Sequence, residues 1–426
     1  MREMKDSGIE WIGQVPNNWK LKKGKYLFKQ HNNRGNLKCL QLLSPSQKFG
    51  VIPQTLLEEL TTQNVVKVSE KANLNDFKTV HVGDFCISLR SFQGGFEYSH
   101  YEGVVSPAYQ VFSAIGDNLC DGYYRYLFKD KSFIDKMNSY TMTLRDGKNI
   151  AFDDFGNTYI PVPPKSEQEK IAGFLDSQCS EIDAISADIQ KEIETLEQYK
   201  RSVITEAVTK GLNPDAETKK SAIFYMAPYN SDWRLSKIAY ECTKLARPFS
   251  PADMPLLCTN KGKVSPRPSD MTGKMVSEDN AMQGIHKGDI VIHGMDTWHG
   301  AIAMSEYDGK ITRVVHVCDS KQDKRFIVYY LQQLAFNDVY KLISFGIRGN
   351  TSDFRSWDKV KDIYIALPDI DEQQKISDFL DLECRRVEDI VSEKKKQLDV
   401  LGAYKKSLIY EYVTGKKEVP LWKSNT

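Results

Sequence analysis

The sequence lacks the short motifs that mark the common catalytic and cofactor-binding sites. It contains no GxxxxGKS or GxxxxGKT phosphate loop, no GxGxxG dinucleotide motif, no GxSxG nucleophile elbow and no HExxH zinc motif. The FxGxG and the NPPY or DPPY motifs of amino-methyltransferases are also missing. We therefore expect no catalytic centre in this chain, and no metal or cofactor bound by it.

Long apolar runs, cysteine pairs and a dominant charge are also missing. No stretch approaches the roughly 18–20 apolar residues of a membrane span, and the first residues lead into polar sequence, so we expect no signal peptide. None of the eight cysteines lies in a CxxC, so we expect reduced thiols in a cytoplasmic protein. The net charge of +1 does not indicate a polycation, although local basic faces stay compatible with it.

The sequence does contain a long internal repeat. Residues 163–211 align without a gap on residues 368–416, and a repeat of this length indicates a duplicated module rather than a solenoid. The identical pairs include Glu167/Glu372, Gln168/Gln373, Lys170/Lys375, Ile171/Ile376, Phe174/Phe379, Leu175/Leu380, Asp176/Asp381, Cys179/Cys384, Leu196/Leu401, Tyr199/Tyr404 and Lys200/Lys405.

Both copies are predicted to be long helices. The first copy has apolar residues at an average spacing of about 3.6, the helical period. Residues 166–169 (SEQE) and 371–374 (DEQQ) resemble capping boxes, while Gly211 and Gly415 predict the ends. A helix of some 45 residues spans on the order of 65 Å, and its apolar stripe needs a partner helix. We therefore expect the two helices to pack as an antiparallel coiled coil.

The residues between the repeats predict two α+β domains. Short strand-like runs at 64–68, 84–89 and 104–112 precede a predicted helix at 121–137, and a second helix is expected at 324–342. Trp19 and Trp233, each a few residues after a proline, are expected to pack on their own domain; base stacking is the less favoured alternative.

The predicted fold is therefore α+β, with two globular mixed domains joined by two long antiparallel helices and a pseudo-twofold internal duplication. Its predicted parts are a first domain with its lead-in (1–162), a first long helix (163–212), a linker (213–230), a second domain (231–367), a second long helix (368–415) and a C-terminal tail (416–426).

Two weak sequence patterns, one resembling a metal site and one resembling a nuclease motif, are interpreted as having no such function. Four histidines and two cysteines of the second half could suggest a metal site, but their spacing is irregular and tight ligand pairs are absent, so solvated histidines are favoured. These residues are His286, His293, His299, His316, Cys258 and Cys318. Asp215, Glu217 and Lys219 loosely resemble a nuclease motif, yet they lie in the polar linker and are interpreted as coincidence.

The repeated segment carries a specific resemblance. Residues 163–176 (PPKSEQEKIAGFLD), the end of the same helix at 199–211 and their second copies resemble the conserved regions of type I restriction–modification specificity subunits. The lead-in at 6–19, the segments 88–95 and 103–109, and residues 350–354 are also similar to that family. The resemblance covers essentially the whole chain.

The resemblance implies a non-catalytic role in DNA modification and phage defence. Each globular domain would be a target-recognition domain that reads one half of a bipartite double-stranded DNA site. The helices would set the spacer and dock two modification (methyltransferase) subunits, which methylate adenine, and restriction (endonuclease and translocase) subunits would join them. S-adenosylmethionine, ATP and Mg²⁺ would bind on those other subunits and not on this chain. The residues expected in helix packing and subunit docking are Ile171, Phe174, Leu175, Ile182, Leu196, Tyr199, Ile376, Phe379, Leu380, Val387, Leu401 and Tyr404.

Loop residues with hydrogen-bonding side chains are the candidates for DNA contact, because base edges and phosphates are read by such groups. Two clusters fall at the same place in both domains yet differ in residue identity. In the first domain they are Arg90, Ser91, Gln93, Arg145, Lys148 and Asn149. In the second they are His293, Thr297, Trp298, His299, Arg348, Asn350, Thr351 and Arg355.

Two other functions stay open at this point. A purely structural coiled-coil scaffold for protein partners would leave two large divergent domains without a role. The recognition part of a stand-alone modification methyltransferase would need the methyltransferase motifs that the sequence lacks.

Overall fold

A computed structural model describes residues 2–35, 40–61, 73, 75–87, 95–140, 150–259, 262–268, 281–344 and 354–420. The chain divides into two compact units, and the boundaries between these units fall within the two long helices. Unit 1 comprises Met1–Asp188 and Lys396–Thr426, whereas unit 2 comprises Ile189–Lys395. Each long helix therefore contributes one segment to each unit. Among the described residues, no helix is long and apolar enough to cross a membrane.

Unit 1 is a mixed domain built mainly from short antiparallel strands. Its strands are β1 Met4–Asp6, β2 Gln14–Pro16, β3 Lys20–Lys23, β4 Phe28–His31, β5 Arg34–Gly35, β6 Leu43–Ser46, β7 Gly50–Pro53, β8 Phe77–Val80, β9 Phe85–Ile87, β10 Phe96–Tyr98, β11 Gly103–Val105, β12 Gln110–Ala114 and β13 Tyr159–Val162. Its helices are α1 Gln54–Thr61, α2 Asp121–Leu127, α3 Lys131–Ser139, α4 Phe152–Asn157 and the first part of α5 Lys165–Lys210. The main sheet has the order β10-β9-β12-β4.

The core of unit 1 is a cluster of aromatic rings centred on Phe28. This ring lies 5.1 Å from Tyr124, 5.5 Å from Phe128 and 5.6 Å from Phe112, measured between ring centroids. Most of these pairs are edge-to-face, the arrangement that aromatic quadrupoles favour. The cluster packs the main sheet against α2, and Ile171 and Leu175 of α5 extend it.

Unit 2 repeats this plan with different residues. Its strands are β14 Thr218–Lys219, β15 Tyr229–Asn230, β16 Arg234–Lys237, β17 Cys242–Lys244, β18 Leu256–Thr259, β19 Lys263–Pro266, β20 Met282–Ile285, β21 Ile290–His293, β22 Ile302–Met304, β23 Gly309–Thr312, β24 Val315–Ser320 and β25 Tyr364–Leu367. Its helices are α6 Ile238–Glu241, α7 Lys324–Phe336, α8 Val339–Leu342, α9 Trp357–Lys361 and α10 Ile370–Val413, with α10 shared between the units. The main sheet order β22-β21-β24-β17 corresponds strand by strand to that of unit 1.

The two long helices run antiparallel within each unit. In unit 1, Phe174 of α5 stacks near Tyr412 of α10, and further along α5 Asp183 pairs with the earlier residue Lys405 at 2.6 Å. In unit 2, Glu192 pairs with Lys394 and, further along, Lys200 pairs with Glu388 at 2.6 Å. The expected α+β fold with antiparallel long helices is confirmed.

The predicted capping residues, Ser166 and Asp371, lay two residues too late in the chain. In α5 the backbone N–H of Gln168 donates to Pro164, so Ser166 lies inside the first turn and does not cap it. In α10 Asp369 is the capping residue, because its Oδ1 accepts the N–H of Glu372 at 2.8 Å. The predicted ends were correct: Gly211 follows α5 directly, Gly415 follows α10 closely, and both have positive φ.

The predicted helices at 121–137 and 324–342 are each divided. Asp130 interrupts the first and caps α3 by accepting the N–H of Ser132. Asp338, with φ of 55°, interrupts the second between α7 and α8. The expected strand at 104–112 is likewise two strands, β11 and β12, and the expected strand at 64–68 lies outside the described residues.

The lead-in and the linker have the same structure in the two units. β1 pairs with β2, and Lys5 donates to the carbonyl oxygens of Asn17 and Trp19. β14 pairs with β15, and Lys219 donates to the carbonyl oxygens of Ser231 and Trp233. The segment predicted as a polar linker therefore contains an ordered hairpin of unit 2. Trp19 and Trp233 are both buried, as expected for residues that pack on their own domains.

Candidate nucleic-acid interface

In unit 2 the structure brings two of the predicted contact segments together. The loop between β21 and β22 begins at Gly294, whose carbonyl oxygen accepts the N–H of Phe354 at 3.0 Å. A Cβ at Gly294 would lie 2.9 Å from both the Phe354 oxygen and the Arg355 Cα, so only glycine fits this approach. His299 and Arg355, which lie on these two segments, are both exposed.

Two of the predicted contact residues in this loop are buried instead. Thr297 is fully buried and His293 nearly so, with His293 Nδ1 accepting the N–H groups of Met295 and Asp296 at 3.3 and 3.1 Å. These side chains therefore shape the loop and are not presented on its surface. Trp298 is half-buried and packs on the core, with an indole N–H that has no acceptor among the described residues. The burial of His293 and Thr297 could not be inferred from the sequence, because polar residues after a buried strand are ordinarily expected to lie in an exposed loop.

His316 of β24 is a supporting residue that the sequence did not single out for DNA contact. Its Nε2 lies 2.7 Å from the carbonyl oxygen of Phe354, to which it donates, and the ring is buried. Burial lowers the pKa of His316 below its usual 6.5; the hydrogen bond to the Phe354 carbonyl opposes this lowering, and nearby Lys244 and His293 add to it. The neutral imidazole thus anchors the segment that carries Arg355.

We expect acid to lower the stability of the fold around His316. Because the folded-state pKa of His316 is lowered, the unfolded chain binds the extra proton first, and stability falls as pH drops below about 6.5. One proton changes the free energy of unfolding by at most about 1.4 kcal/mol per pH unit. His316→Gln keeps a donor for Phe354 but does not titrate, so its loss of stability between pH 7 and 5 should be smaller. Denaturant titrations at each pH test this, and identical pH profiles would contradict it.

Several predicted contact residues lie outside the described residues. They are Arg90, Ser91, Gln93, Arg145, Lys148 and Asn149 of unit 1, and Arg348, Asn350 and Thr351 of unit 2. The described flanks of the two unit 1 segments nevertheless lie side by side. Gln110 pairs with Ile87 across the main sheet, its Nε2 donates to the Ile150 oxygen at 2.8 Å, and its Oε1 accepts the Phe152 N–H at 2.7 Å. Sequence reasoning missed Gln110, because its partners are 40 residues away.

The repeated motif joins each globular domain to its long helix. In unit 1 the Trp19 indole donates to Glu167 at 3.1 Å, and Gln168 accepts the Cys120 N–H while donating to the Pro163 oxygen. Asp176 accepts from Arg125 and Tyr126 of α2. Glu167, Gln168 and Asp176 therefore each have a specific partner in the globular domain. We call these three side chains, together with their partners, the clamp of unit 1.

The same clamp recurs in unit 2. Trp233 donates to Glu372 at 3.3 Å, Gln373 accepts the Asp323 N–H and donates to the Pro368 oxygen, and Asp381 accepts from Arg325 and Tyr329. These shared contacts give a physical reason for the recurrence of the motif in two domains that otherwise differ in sequence.

The predicted helix-packing residues divide into buried and exposed sets. Ile171, Leu175, Ile182, Ile376, Leu380 and Val387 are buried, and Phe174, Leu196 and Leu401 are half-buried. Tyr199 and Tyr404 are 51% and 52% exposed, and Phe379 is 38% exposed. These last three pack little within the chain, so an internal coiled-coil role does not account for them.

The exposed apolar residues of the helices recur in register. Tyr199 corresponds to Tyr404, and Ile185 corresponds to Ile390, so an exposed isoleucine and an exposed tyrosine occupy equivalent helix positions in each unit. We call these the two helix patches: Ile185 with Tyr404 in unit 1, and Ile390 with Tyr199 in unit 2. The neighbouring ion pairs Asp183–Lys405 and Lys200–Glu388 also correspond.

Within the described residues no group of three or more histidine, cysteine, aspartate or glutamate side chains is arranged to hold a metal ion. The candidate histidines have protein partners instead: His286 contacts Asp308 at 3.2 Å, and His316 bonds to the backbone. The seven described cysteines form no disulfide.

Comparison with known proteins finds a family that matches part of the chain. Residues 16–195 match the family described as "Type I restriction modification DNA specificity domain". A putative type I restriction enzyme specificity subunit, MjaX, of Methanocaldococcus jannaschii is 25% identical over 281 residues, which cover 61% of this chain and 59% of that protein. The chain thus spans about three fifths of that relative's length.

A solved structure shares the fold of nearly the whole chain. It was determined for a type I R-M system, in a study of complex assembly and conformational transition, and it matches with a TM-score of 0.66 at 13% sequence identity. The match covers 95% of this chain and 99% of the solved chain. At this identity the likeness describes the fold alone.

Proposed function

Because residues 16–195 match the family of type I restriction–modification DNA specificity domains, we propose that the chain is the DNA specificity subunit of such a system. Each unit reads one half of a bipartite duplex site. The chain itself does no chemistry: S-adenosylmethionine, ATP and Mg²⁺ are used by modification and restriction subunits that assemble with it.

The observation that carries this proposal is the contrast between the repeated clamp and the unrepeated loops. Both units hold a globular domain on the long helices through the same three side chains, Glu167, Gln168 and Asp176 in unit 1 and their counterparts in unit 2. At the corresponding place in each main sheet, the flanks of two divergent segments meet. One scaffold that presents two different loop sets suits a protein that reads two different sequences.

For base and phosphate contact in unit 2 we propose the exposed His299 and Arg355, together with Arg348, Asn350 and Thr351. Arginine and asparagine form bidentate pairs with guanine and adenine edges, which gives them the greatest power of discrimination. For unit 1 we propose Arg90, Ser91, Gln93, Arg145, Lys148 and Asn149. His293, Thr297 and Trp298 are assigned the supporting role that their burial gives them.

A selection from random duplex DNA tests the function most simply. The purified chain, alone and with modification subunits, is mixed with the library, and bound sequences are counted at several salt concentrations. We expect two short enriched stretches separated by bases without preference. Binding with no sequence preference at any salt concentration would contradict the proposal and favour a protein scaffold.

We further propose that the two helix patches dock two modification subunits, one per unit. Exposed tyrosine and isoleucine on a helix surface cost hydration free energy unless a partner covers them, and tyrosine is enriched at interface hot spots. Since the patches correspond residue by residue, a partner that fits one of them fits the other.

Removing both tyrosines should therefore weaken assembly without unfolding the chain. We expect Tyr199→Ala with Tyr404→Ala to weaken binding of the modification subunit at least about tenfold at each site, the cost of a typical hot spot. Phe224→Ala with Tyr240→Ala is the matched control, because these rings are 76% and 80% exposed and lie off the long helices. Calorimetric titration measures affinity and stoichiometry together. Equal affinities for the two double variants would rule out the patches.

A further inference from the structure

Unit 1 carries a concentration of lysines on β3 and the turn that follows it. Lys20, Lys22 and Lys25 are exposed and Lys23 is half-buried, all within six consecutive residues. Among the described residues none of these ammonium groups makes an ion pair with a carboxylate; Lys25 donates to the neutral Asn157 amide oxygen at 3.2 Å. We call these four lysines, with Tyr26 and Tyr159, the lysine patch.

The two tyrosines of the lysine patch are held beside the charges. Lys25 Nζ lies 5.6 Å from the centroid of the Tyr26 ring, and Lys23 Nζ lies 5.6 Å from that of Tyr159, its cross-strand neighbour on β13. Tyr26 is 66% exposed. Lysines and tyrosine hydroxyls are among the groups that contact DNA phosphates.

The corresponding surface of unit 2 is electrically neutralised. On β16 the cations are Arg234 and Lys237, which pair with Glu241 at 2.6 Å and with Asp362 at 3.0 Å. Lys22 and Lys25 of unit 1 are replaced by Ser236 and Ala239, while the neutral Asn157 stands in unit 1 where Asp362 stands in unit 2. The exposed tyrosine persists as Tyr240. The two units thus share the backbone of this surface but differ in its charge.

Four uncompensated like charges along one strand and turn repel one another, and they span at most about 17 Å at roughly 3.3 Å per residue. The nearest acidic helix, α4, carries Asp153 and Asp154, but Asp154 is engaged in bonding the Ala151 N–H. In the part of the chain that the structure describes, no carboxylate pairs with these four ammonium groups, and an external anion with several charges in a row would relieve the repulsion.

We propose that the lysine patch is a sequence-independent contact for the phosphate backbone of duplex DNA, present in unit 1 and lost in unit 2. This inference rests on the proposed function, and it adds a phosphate contact that lies outside the predicted recognition loops. It makes unit 1 the unit that holds DNA without regard to sequence.

Changing Lys20, Lys22 and Lys25 together to glutamine tests the proposal. Each phosphate contact contributes about 0.9 to the slope of log Kd against log salt concentration, so the triple variant should lower that slope by about 2.7. The loss should be the same on a duplex carrying the selected site and on one lacking it. Kd is measured by fluorescence anisotropy between 50 and 200 mM salt, and an unchanged slope would overturn the proposal.

A control variant that loses the same number of positive charges elsewhere separates the effect of lysine position from the effect of net charge. Lys220→Gln, Lys287→Gln and Lys321→Gln removes three exposed lysines scattered over unit 2, and we expect it to leave the slope nearly unchanged. Lys20→Arg, Lys22→Arg and Lys25→Arg keeps the charge and should keep the slope. If the glutamine triple fails to fold, Lys22→Gln alone should lower the slope by about 0.9.

The outcomes separate this inference from the proposed function. A chain without sequence preference that still loses slope in the triple variant supports the lysine patch and contradicts the recognition role. Sequence preference with no change of slope does the reverse. Loss of modification subunit binding at constant slope would assign the patch to an acidic protein surface and overturn the DNA contact.

Discussion

Replacing Phe28 by alanine should lower the free energy of unfolding of unit 1 by about 3–5 kcal/mol, the range measured for aromatic truncations in protein cores. Phe28 is 1% exposed, and its ring contacts five others, those of Phe85, Phe112, Tyr124, Phe128 and Phe155. Alanine would leave a cavity at the centre of this cluster, where sheet and helix meet and neither can close in. Chemical denaturation of the full chain, followed by a probe in unit 1, measures the change.

Tyr26→Ala is the control for this experiment, because Tyr26 lies only two residues away and is 66% exposed. Its effect on stability should stay within about 0.5 kcal/mol, as for most surface substitutions. A loss below about 1 kcal/mol for Phe28→Ala would show that the aromatic cluster is not the core that stabilises unit 1.

Replacing Trp19 or Trp233 by alanine should have an equally large effect, each confined to one unit. Both rings are buried, and each indole N–H bonds to the glutamate of its clamp. We expect a loss of about 3–5 kcal/mol in the affected unit from the cavity and the lost hydrogen bond together. Because Trp19 and Trp233 lie in different units, the effects should add to within about 0.5 kcal/mol in the double variant.

The two tryptophan variants also test recognition by each unit. A domain that no longer sits firmly on its helix should lose its half of the sequence preference and leave the other half intact. In the duplex selection, Trp19→Ala should retain one enriched stretch and Trp233→Ala the other. Loss of both stretches in either single variant would mean that the units do not read DNA separately.

The long helices could be predicted because their signals are local. An apolar spacing near the helical period and a glycine stop are properties of neighbouring residues, and the duplication provided a second view of each. The capping residue of α10 was misassigned because two candidates compete: Asp369 and Asp371 both suit the role, and only the fold shows that Asp369 accepts the Glu372 N–H. In α5, Pro164 begins the turn ahead of the predicted Ser166, since proline suits the first helical turn.

The supporting residues of the candidate site could not be predicted in the same way. Gln110 and His316 act through partners about 40 residues away in the chain, and neither has a local motif. The clamp was visible only as a repeated motif. Its physical meaning depends on Trp19 and Trp233, which are far from Glu167 and Glu372 in sequence and adjacent in space.

The burial of His293 and Thr297 is a similar case. A polar loop after a strand predicts exposed hydrogen-bonding groups, and His299 and Arg355 fit that expectation. His293 turns inward because its imidazole satisfies two backbone N–H groups of its own loop. Such local satisfaction is decided by the path of the backbone, which the residue types alone do not determine.

We propose that two recognition units are held on paired helices that set the spacing of a split DNA site. The most direct test maps methylated adenines in cells that contain the chain with its modification subunits. Four helix-favouring residues are inserted after Asp188 in α5 and after Lys395 in α10, where both helices pass from one unit to the other. Four residues add about 6 Å at roughly 1.5 Å each, at most about two base pairs of duplex. We predict unchanged half-sites with a wider gap; a methylated motif whose gap stays the same would contradict the claim.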